Sequence, residues 1–187
     1  FDRLGADREE HYAIRRVDPA YRAYFGDDVP GESDTIVDMP ADRPGAKAVF
    51  ERYEPGAGAN LDRYLDDCKR KYDFAMGEFI YKNYYSVFDF LNGTALSNVR
   101  LLSIHRSYGG RVKQFFTHPY LRKMLEFPVV FLGSDARSTP GMYTLMNHID
   151  FNLGTWYPEG GFGAVVAAMQ RVAERHGVRF FFEHEAV

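Results

Sequence analysis

The sequence predicts an α+β fold, rich in helix, with a small mixed or antiparallel β-sheet. Three observations carry that prediction. Tyr21-Arg22-Ala23-Tyr24-Phe25 and Asp34-Thr35-Ile36-Val37-Asp38-Met39 alternate apolar and polar positions on either side of the turn-forming Gly26-Asp27-Asp28-Val29-Pro30-Gly31, as a hairpin of half-buried strands does. Leu61, Tyr64, Leu65, Cys68, Tyr72, Ala75, Met76 and Phe79 recur at three- and four-residue spacing, while Asp62, Arg63, Asp66, Lys69 and Arg70 fill the opposite face of one amphipathic helix. Asp42-Arg43-Pro44, Thr117-His118-Pro119 and Thr139-Pro140 each set a capping side chain before a proline, where a helix opens.

In chain order, residues 1–20 begin in a short helix, which Asp18-Pro19 interrupts, and the hairpin spans 21–39. The helix from Asp42 runs to about Tyr53, where Glu54-Pro55-Gly56-Ala57-Gly58 breaks it. Asn60 is the cap candidate for the amphipathic helix over 60–79. Residues 79–104 crowd Phe79, Ile80, Tyr81, Tyr84, Tyr85, Val87, Phe88, Phe90 and Leu91 around a break at Asn92-Gly93. Helices follow from about Ser107 to Phe116, from Pro119, and from Thr139-Pro140 to near Phe151, with Pro128 and Gly133 interrupting between the last two. Thr155-Trp156-Tyr157 reads as a short strand. Gly160-Gly161 turns into a helix with an apolar face of Phe162, Val165, Val166, Met169, Val172 and Ala173, and Gly177 is its left-handed cap. The run 180–187 reads as a final strand. There is no repeat and no long linker, so residues 1–187 read as one α+β unit.

Composition narrows the function classes. A hydrophobic content of 45% in 187 residues supplies a real core, and a net charge of −3 gives no basic face for nucleic acid. Aromatic residues reach 16%, which means either a thick core or a surface that meets something apolar. The one cysteine, Cys68, falls on a helix's apolar face and reads as a small core residue; neither a disulfide framework nor a cysteine zinc site can be built from it. The six histidines include no i, i+4 pair on one predicted helix, so the usual zinc spacing is missing. His118 reads as a helix-start residue, His176 as a partner of a helix C-terminus, and Asp150 as an isolated surface or capping carboxylate. Arg100, His105, Arg106, Tyr108, Arg111 and Lys113 interleave basic and aromatic side chains, which suits a membrane interface or the rim of a core.

Gly160-Gly161-Phe162-Gly163 stands where a phosphate cradle would, at the mouth of a helix. No Gly-Lys-Ser/Thr follows it, and G-x-G-x-x-G is absent, so a tight turn from strand into helix accounts for these glycines.

Four blocks between Thr117 and Phe182 carry a family likeness: 119–127 (PYLRKMLEF), 133–140 (GSDARSTP), 142–148 (MYTLMNH) and 154–161 (GTWYPEGG). In that order and spacing the chain resembles the phytoene desaturase (bacterial-type carotenoid desaturase) group of flavin-containing amine oxidase-like proteins. The resemblance implies a substrate-binding domain inserted in a larger flavin-binding parent, with FAD as cofactor and a long hydrophobic isoprenoid as substrate. It implies oxidoreductase chemistry that removes two hydrogens across a C–C bond, at a membrane surface, with the parent cytoplasmic and peripheral to the membrane. Trp156, Tyr157 and Pro158 then match a block beside the substrate cavity, Gly160 and Gly161 its turn, and Arg122 a polar group facing the site. Val187 falls where relatives bring strand backbone near the adenine of FAD. The family's acidic residue at the start of the 119–127 helix is replaced here by Thr117-His118. Residues 79–104 are either an entry lip for the substrate or ordinary core. Two other readings remain open: a non-catalytic module for hydrophobic ligands or membranes, and a related enzyme acting on a soluble amine.

Overall fold

A computed structural model describes residues 1–26, 35–81 and 102–185. Most of the 79–104 run and Val187 lie outside the described residues. The fold is α+β, as expected: helices accompany two separate two-stranded antiparallel sheets. The chain reads in sequence as one unit, but its contacts divide it into two compact units. Unit 1 combines residues 1–17 with 155–187, and unit 2 is residues 18–154.

Unit 2 opens with the hairpin. Strands β2 (Tyr21–Phe25) and β3 (Thr35–Met39) pair from Tyr21↔Met39 to Phe25↔Thr35. The register buries Phe25, Val37 and Met39 and turns Tyr24 and Ile36 outward. Helix α1 (Arg43–Tyr53) begins as predicted, with the Asp42 carboxylate accepting from Gly45 N–H at 2.7 Å and Pro44 in the first turn. Helix α2 (Ala57–Ala75) starts earlier than the sequence suggests. Its cap is Gly56, and the Glu51 carboxylate of α1 accepts from Gly56 N–H at 2.7 Å and Gly58 N–H at 2.9 Å. Asn60 is therefore inside the helix, where its amide donates to the Phe115 carbonyl at 3.0 Å. A π-turn, Met76–Ile80, closes α2.

Helix α3 (Tyr108–Val112) is shorter than the 107–116 expectation, because Lys113, Gln114 and Phe115 tighten into turns. Helix α4 (Pro119–Glu126) passes into a 3-10 segment, Phe127–Leu132. The helix expected after Thr139-Pro140 is a composite: a 3-10 turn (Gly141–Thr144), a short α5 (Leu145–His148) and a π-turn (Ile149–Leu153). The core gathers Phe25, Val49, Phe50, Leu61, Leu65, Tyr108, Val112, Phe116, Leu121 and Leu125. Phe25 stacks on Tyr120 at 4.0 Å between centroids, and Phe50 meets Phe116 edge-on at 5.3 Å. Cys68 is buried here, as expected, and its thiol is pushed up to about 12 chiefly by burial.

Unit 1 holds two 3-10 turns (Asp2–Leu4 and Arg8–Glu10), strand β1 (Ile14–Arg16), strand β4 (Trp156–Pro158) and helix α6 (Phe162–Arg175). Strands β1 and β4 pair antiparallel. Gly177 takes φ 84° and closes α6, its N–H donating to Glu174 O while Val178 N–H donates to Ala173 O. The predicted final strand is not formed over its described part: residues 178–185 enter no helix or strand. A strand needs a neighbour to accept its backbone hydrogen bonds, and no described strand is paired with this segment.

Candidate functional site

The glycine-tryptophan block is built by β4 and the start of α6. Its register places Pro158 opposite Ile14, Tyr157 opposite Arg15 and Trp156 opposite Arg16. Val17 N–H to Thr155 O and Glu159 N–H to Ala13 O, each 2.9 Å, extend the ladder. Pro158 is buried, whereas Trp156 and Tyr157 are about half exposed, so two large rings stand on a fixed backbone. Gly160 and Gly161 then reverse the chain at φ 80° and 75°, values that only glycine adopts without strain. Tyr157 meets Phe162 edge-on at 5.5 Å, and its hydroxyl sits 3.5 Å from where a Gly161 Cβ would be. The mouth of α6 is thus filled by the protein's own aromatic side chains. The structure supports the tight-turn account of these glycines.

Arg122 belongs to unit 2, on α4, and is half-buried. The start of α4 carries a carboxylate that the sequence around it lacks. Glu54, at the end of α1, accepts from Thr117 N–H and His118 N–H, both at 2.8 Å, while His118 Nδ1 accepts from Tyr120 N–H at 3.3 Å. His118 is the helix-start residue the sequence predicts. One turn after Arg122, the half-buried Glu126 carboxyl is raised by burial, against the pull of Lys113 and Arg122. It lines a polar cavity of about 350 Å³ with Ser107, Gly109, Lys113, Asp135 and Arg137.

A second, apolar cavity of about 290 Å³ opens between β2 and α4, lined by Tyr21, Ala23, Phe25, Met124 and Phe127, with Arg22 and Lys123 also contributing. Tyr21 stacks on Phe127 at 6.0 Å, and the exposed Val130, Phe131 and Leu132 continue from it. The Tyr21 hydroxyl is buried with no hydrogen-bond partner among the described residues, and burial, then the charge of Asp150, pushes it upward. Asp150, expected at the surface or as a cap, is half-buried, and its carboxyl is raised by that burial alone. Such walls bind and orient an apolar chain.

Sequence reasoning missed the polar network inside unit 2. Lys71, wholly buried on α2, donates to Asp67 Oδ2 at 2.7 Å and to Thr144 Oγ1 at 3.0 Å. Arg111 closes on the same Asp67 oxygen at 3.0 Å. Burial alone would raise the Asp67 carboxyl; the hydrogen bonds and charges of Lys71 and Arg111 outweigh it and hold it below the usual carboxylate range. Burial lowers Lys71, with Asp67 opposing. One turn further along the chain from Thr144, the Asn147 amide donates to the hydroxyls of Tyr64 at 2.7 Å and Tyr108 at 2.8 Å, and Tyr108 donates to Leu125 O at 2.8 Å. The i, i+4 spacing of Asp67 and Lys71 was the available signal. Among the described residues no group of three His, Cys, Asp or Glu is placed to hold a metal ion, and no helix is long and apolar enough to cross a membrane.

Comparison with known proteins gives these features a setting. Residues 14–186 match the family described as flavin containing amine oxidoreductase. The chain is similar to a carotenoid 3,4-desaturase of Haloarcula japonica, 34% identical over 185 residues, which are 96% of this chain and 35% of that protein. It is similar also to a zeta-carotene-forming phytoene desaturase of Myxococcus xanthus, 29% identical over 97% of this chain and 34% of the relative. A phytoene desaturase of Cercospora nicotianae is 29% identical over 98% of this chain and 29% of its own length. The chain spans about a third of the length of these relatives. With almost all of its residues inside the match, the chain belongs to the family of flavin containing amine oxidoreductases.

Proposed function

We propose that this chain is the substrate-binding part of a larger FAD-dependent oxidoreductase that desaturates a C–C bond of a long isoprenoid or carotenoid. Membership of a flavin-containing family, together with similarity to carotenoid and phytoene desaturases across nearly the whole chain, is the observation that carries this reading. The described residues do not themselves fit a flavin: the turn before α6 is filled by the Tyr157 hydroxyl, and the sequence has no G-x-G-x-x-G. FAD, bound by other parts of the larger polypeptide, would supply the two-electron acceptor.

What this chain's own residues contribute is binding and orientation. Trp156 and Tyr157, fixed by the β1–β4 ladder, offer flat apolar faces suited to a polyene. Pro158, Gly160 and Gly161 hold those rings in register with α6, and Arg122 is the polar group toward the substrate. The exposed Val130, Phe131 and Leu132 and the half-exposed Tyr and Trp rings support peripheral docking on a membrane, from which an insoluble substrate would be drawn.

The test uses the full-length protein that contains this chain. It should purify yellow and, with phytoene or a longer carotenoid delivered in liposomes, convert its substrate to a product absorbing at longer wavelength as each double bond extends the conjugation. A colourless protein that sediments with liposomes would favour the non-catalytic hydrophobic-ligand module. A flavoprotein that ignores every isoprenoid but oxidises a soluble amine, without binding liposomes, would favour the amine-oxidase alternative.

A further inference from the structure

Unit 1 carries more apolar surface than it uses. Successive residues of α6 are about 100° apart around its axis, so its apolar side chains form two adjoining stripes. Ala168 and Val172 make the first and are buried within the unit. Phe162, Val166 and Met169 make the second, at i, i+4 and i+7, and are 67%, 65% and 61% exposed. The two stripes together span roughly 160° of helix, wider than the ~100° that a single contact face needs. A groove of about 310 Å³ lies along this surface, lined by Phe1, Leu4, Met169, Val172 and Ala173.

The segment after the helix points the same way. Beyond the Gly177 cap, Val178, Phe180, Phe181 and Phe182 are all exposed. The rings of Phe180 and Phe182 are nearly parallel, 6.1 Å apart, the i, i+2 relation of side chains on one face of an extended chain. A helix with a spare apolar stripe, closed by a glycine cap and followed by a strand-patterned run, is the αβ half of a layered α/β unit. Its missing half is a sheet, which would cover the stripe and pair the run.

We infer that this face of unit 1 docks on the flavin-binding remainder of the polypeptide, by packing α6 on a β-sheet and adding residues 178–182 to it as a strand. The inference rests on reading the chain as part of a flavin enzyme. The relatives that it matches are about three times its length, so a polypeptide of that kind has ample chain to supply the sheet. A lipid bilayer is the poorer occupant, because it offers 178–182 no backbone hydrogen bonds.

Two single-cysteine substitutions test it in the full-length, flavin-loaded protein: Met169→Cys on the exposed apolar stripe, and Glu174→Cys on the polar side of the same helix. Each is exposed in this chain, and neither fills a core position. Maleimide labelling, read by peptide mass, should be at least about tenfold slower at position 169 than at 174, independent of protein concentration and of added vesicles. Comparable labelling at both positions in a flavin-loaded protein overturns the inference and leaves the enzyme reading standing. Protection of position 169 that grows with protein concentration overturns it in favour of a second copy, and protection that appears only with phosphatidylcholine–phosphatidylglycerol vesicles overturns it in favour of a membrane. A full-length protein without flavin overturns the enzyme reading, and the inference with it.

Discussion

The two units treat their apolar residues in opposite ways. Unit 2 wraps rings and aliphatic chains into a closed core and then spends buried polar groups on one another, with Asp67 facing Lys71 and Arg111, and Asn147 spanning two tyrosines. Unit 1 buries little of its best helix and leaves Phe162, Val166, Met169 and three consecutive phenylalanines in solvent. A region with its own saturated interior is stabilised by what it contains. A region with a spare apolar face is stabilised by what it meets. Substitutions should therefore act on stability in unit 2 and on binding in unit 1.

The largest expected effect is at the centre of unit 2. Asp67→Asn removes the acceptor that neutralises buried Lys71 and should cost about 3–5 kcal/mol in the unfolding of the full-length protein, read from a denaturant midpoint. Its pH dependence follows from the depressed Asp67 carboxyl. The stabilisation is complete above the unfolded value of about 4 and disappears as pH falls through the lower folded value, so the variant should lose part of the acid-side decline in stability below about pH 4. An acid limb identical to wild type would show that Asp67 does not drive it.

Next comes unit 1, where the loss should appear in turnover. Trp156→Ala should lower kcat/KM for a long isoprenoid by about tenfold, roughly 1.4 kcal/mol, while the melting temperature moves little. A large fall in melting temperature with kcat/KM unchanged would reverse the contrast between the units. Glu54→Ala takes the acceptor from the start of α4 and should destabilise unit 2 by about 1 kcal/mol. Amide exchange at Thr117 and His118 should speed up with it, and unchanged exchange would mean that water caps the helix equally well. The smallest effect is expected from Tyr120→Phe. Its buried hydroxyl has no partner among the described residues, so the variant should match wild type within about 0.5 kcal/mol or exceed it. A loss of more than that would mean that the hydroxyl is bonded after all.

What could be read in advance follows from how far apart the interacting residues are. The hairpin, the Asp42 cap, the His118 start, the apolar face of α2 and the Gly177 stop all depend on neighbours a few residues away, and each was legible. The start of α2 was not, because its capping carboxylate comes from Glu51, in the preceding helix, and not from Asn60. Strand β1 was missed because Ile14-Arg15-Arg16 is short and charged, and becomes a strand only by pairing with residues 156–158. The buried Asp67–Lys71–Arg111 cluster stayed hidden for the same reason: charged letters on a helix read as a solvated face until residue 111 is brought against them. The block 154–161 was legible as a motif and a turn; that two of its rings stand half exposed needed the ladder.

The end of α1 carries a further consequence, one of length. Glu51 secures the start of α2, and Glu54, three residues on, secures the start of α4. Both carboxylates reach their amides only because α1 has its present number of residues after Asp42. Inserting or deleting a single residue within it would swing both by about 100° and shift them by about 1.5 Å, releasing two helix starts together. Among relatives of this chain, then, α1 should vary in sequence but keep its length, and insertions should collect elsewhere.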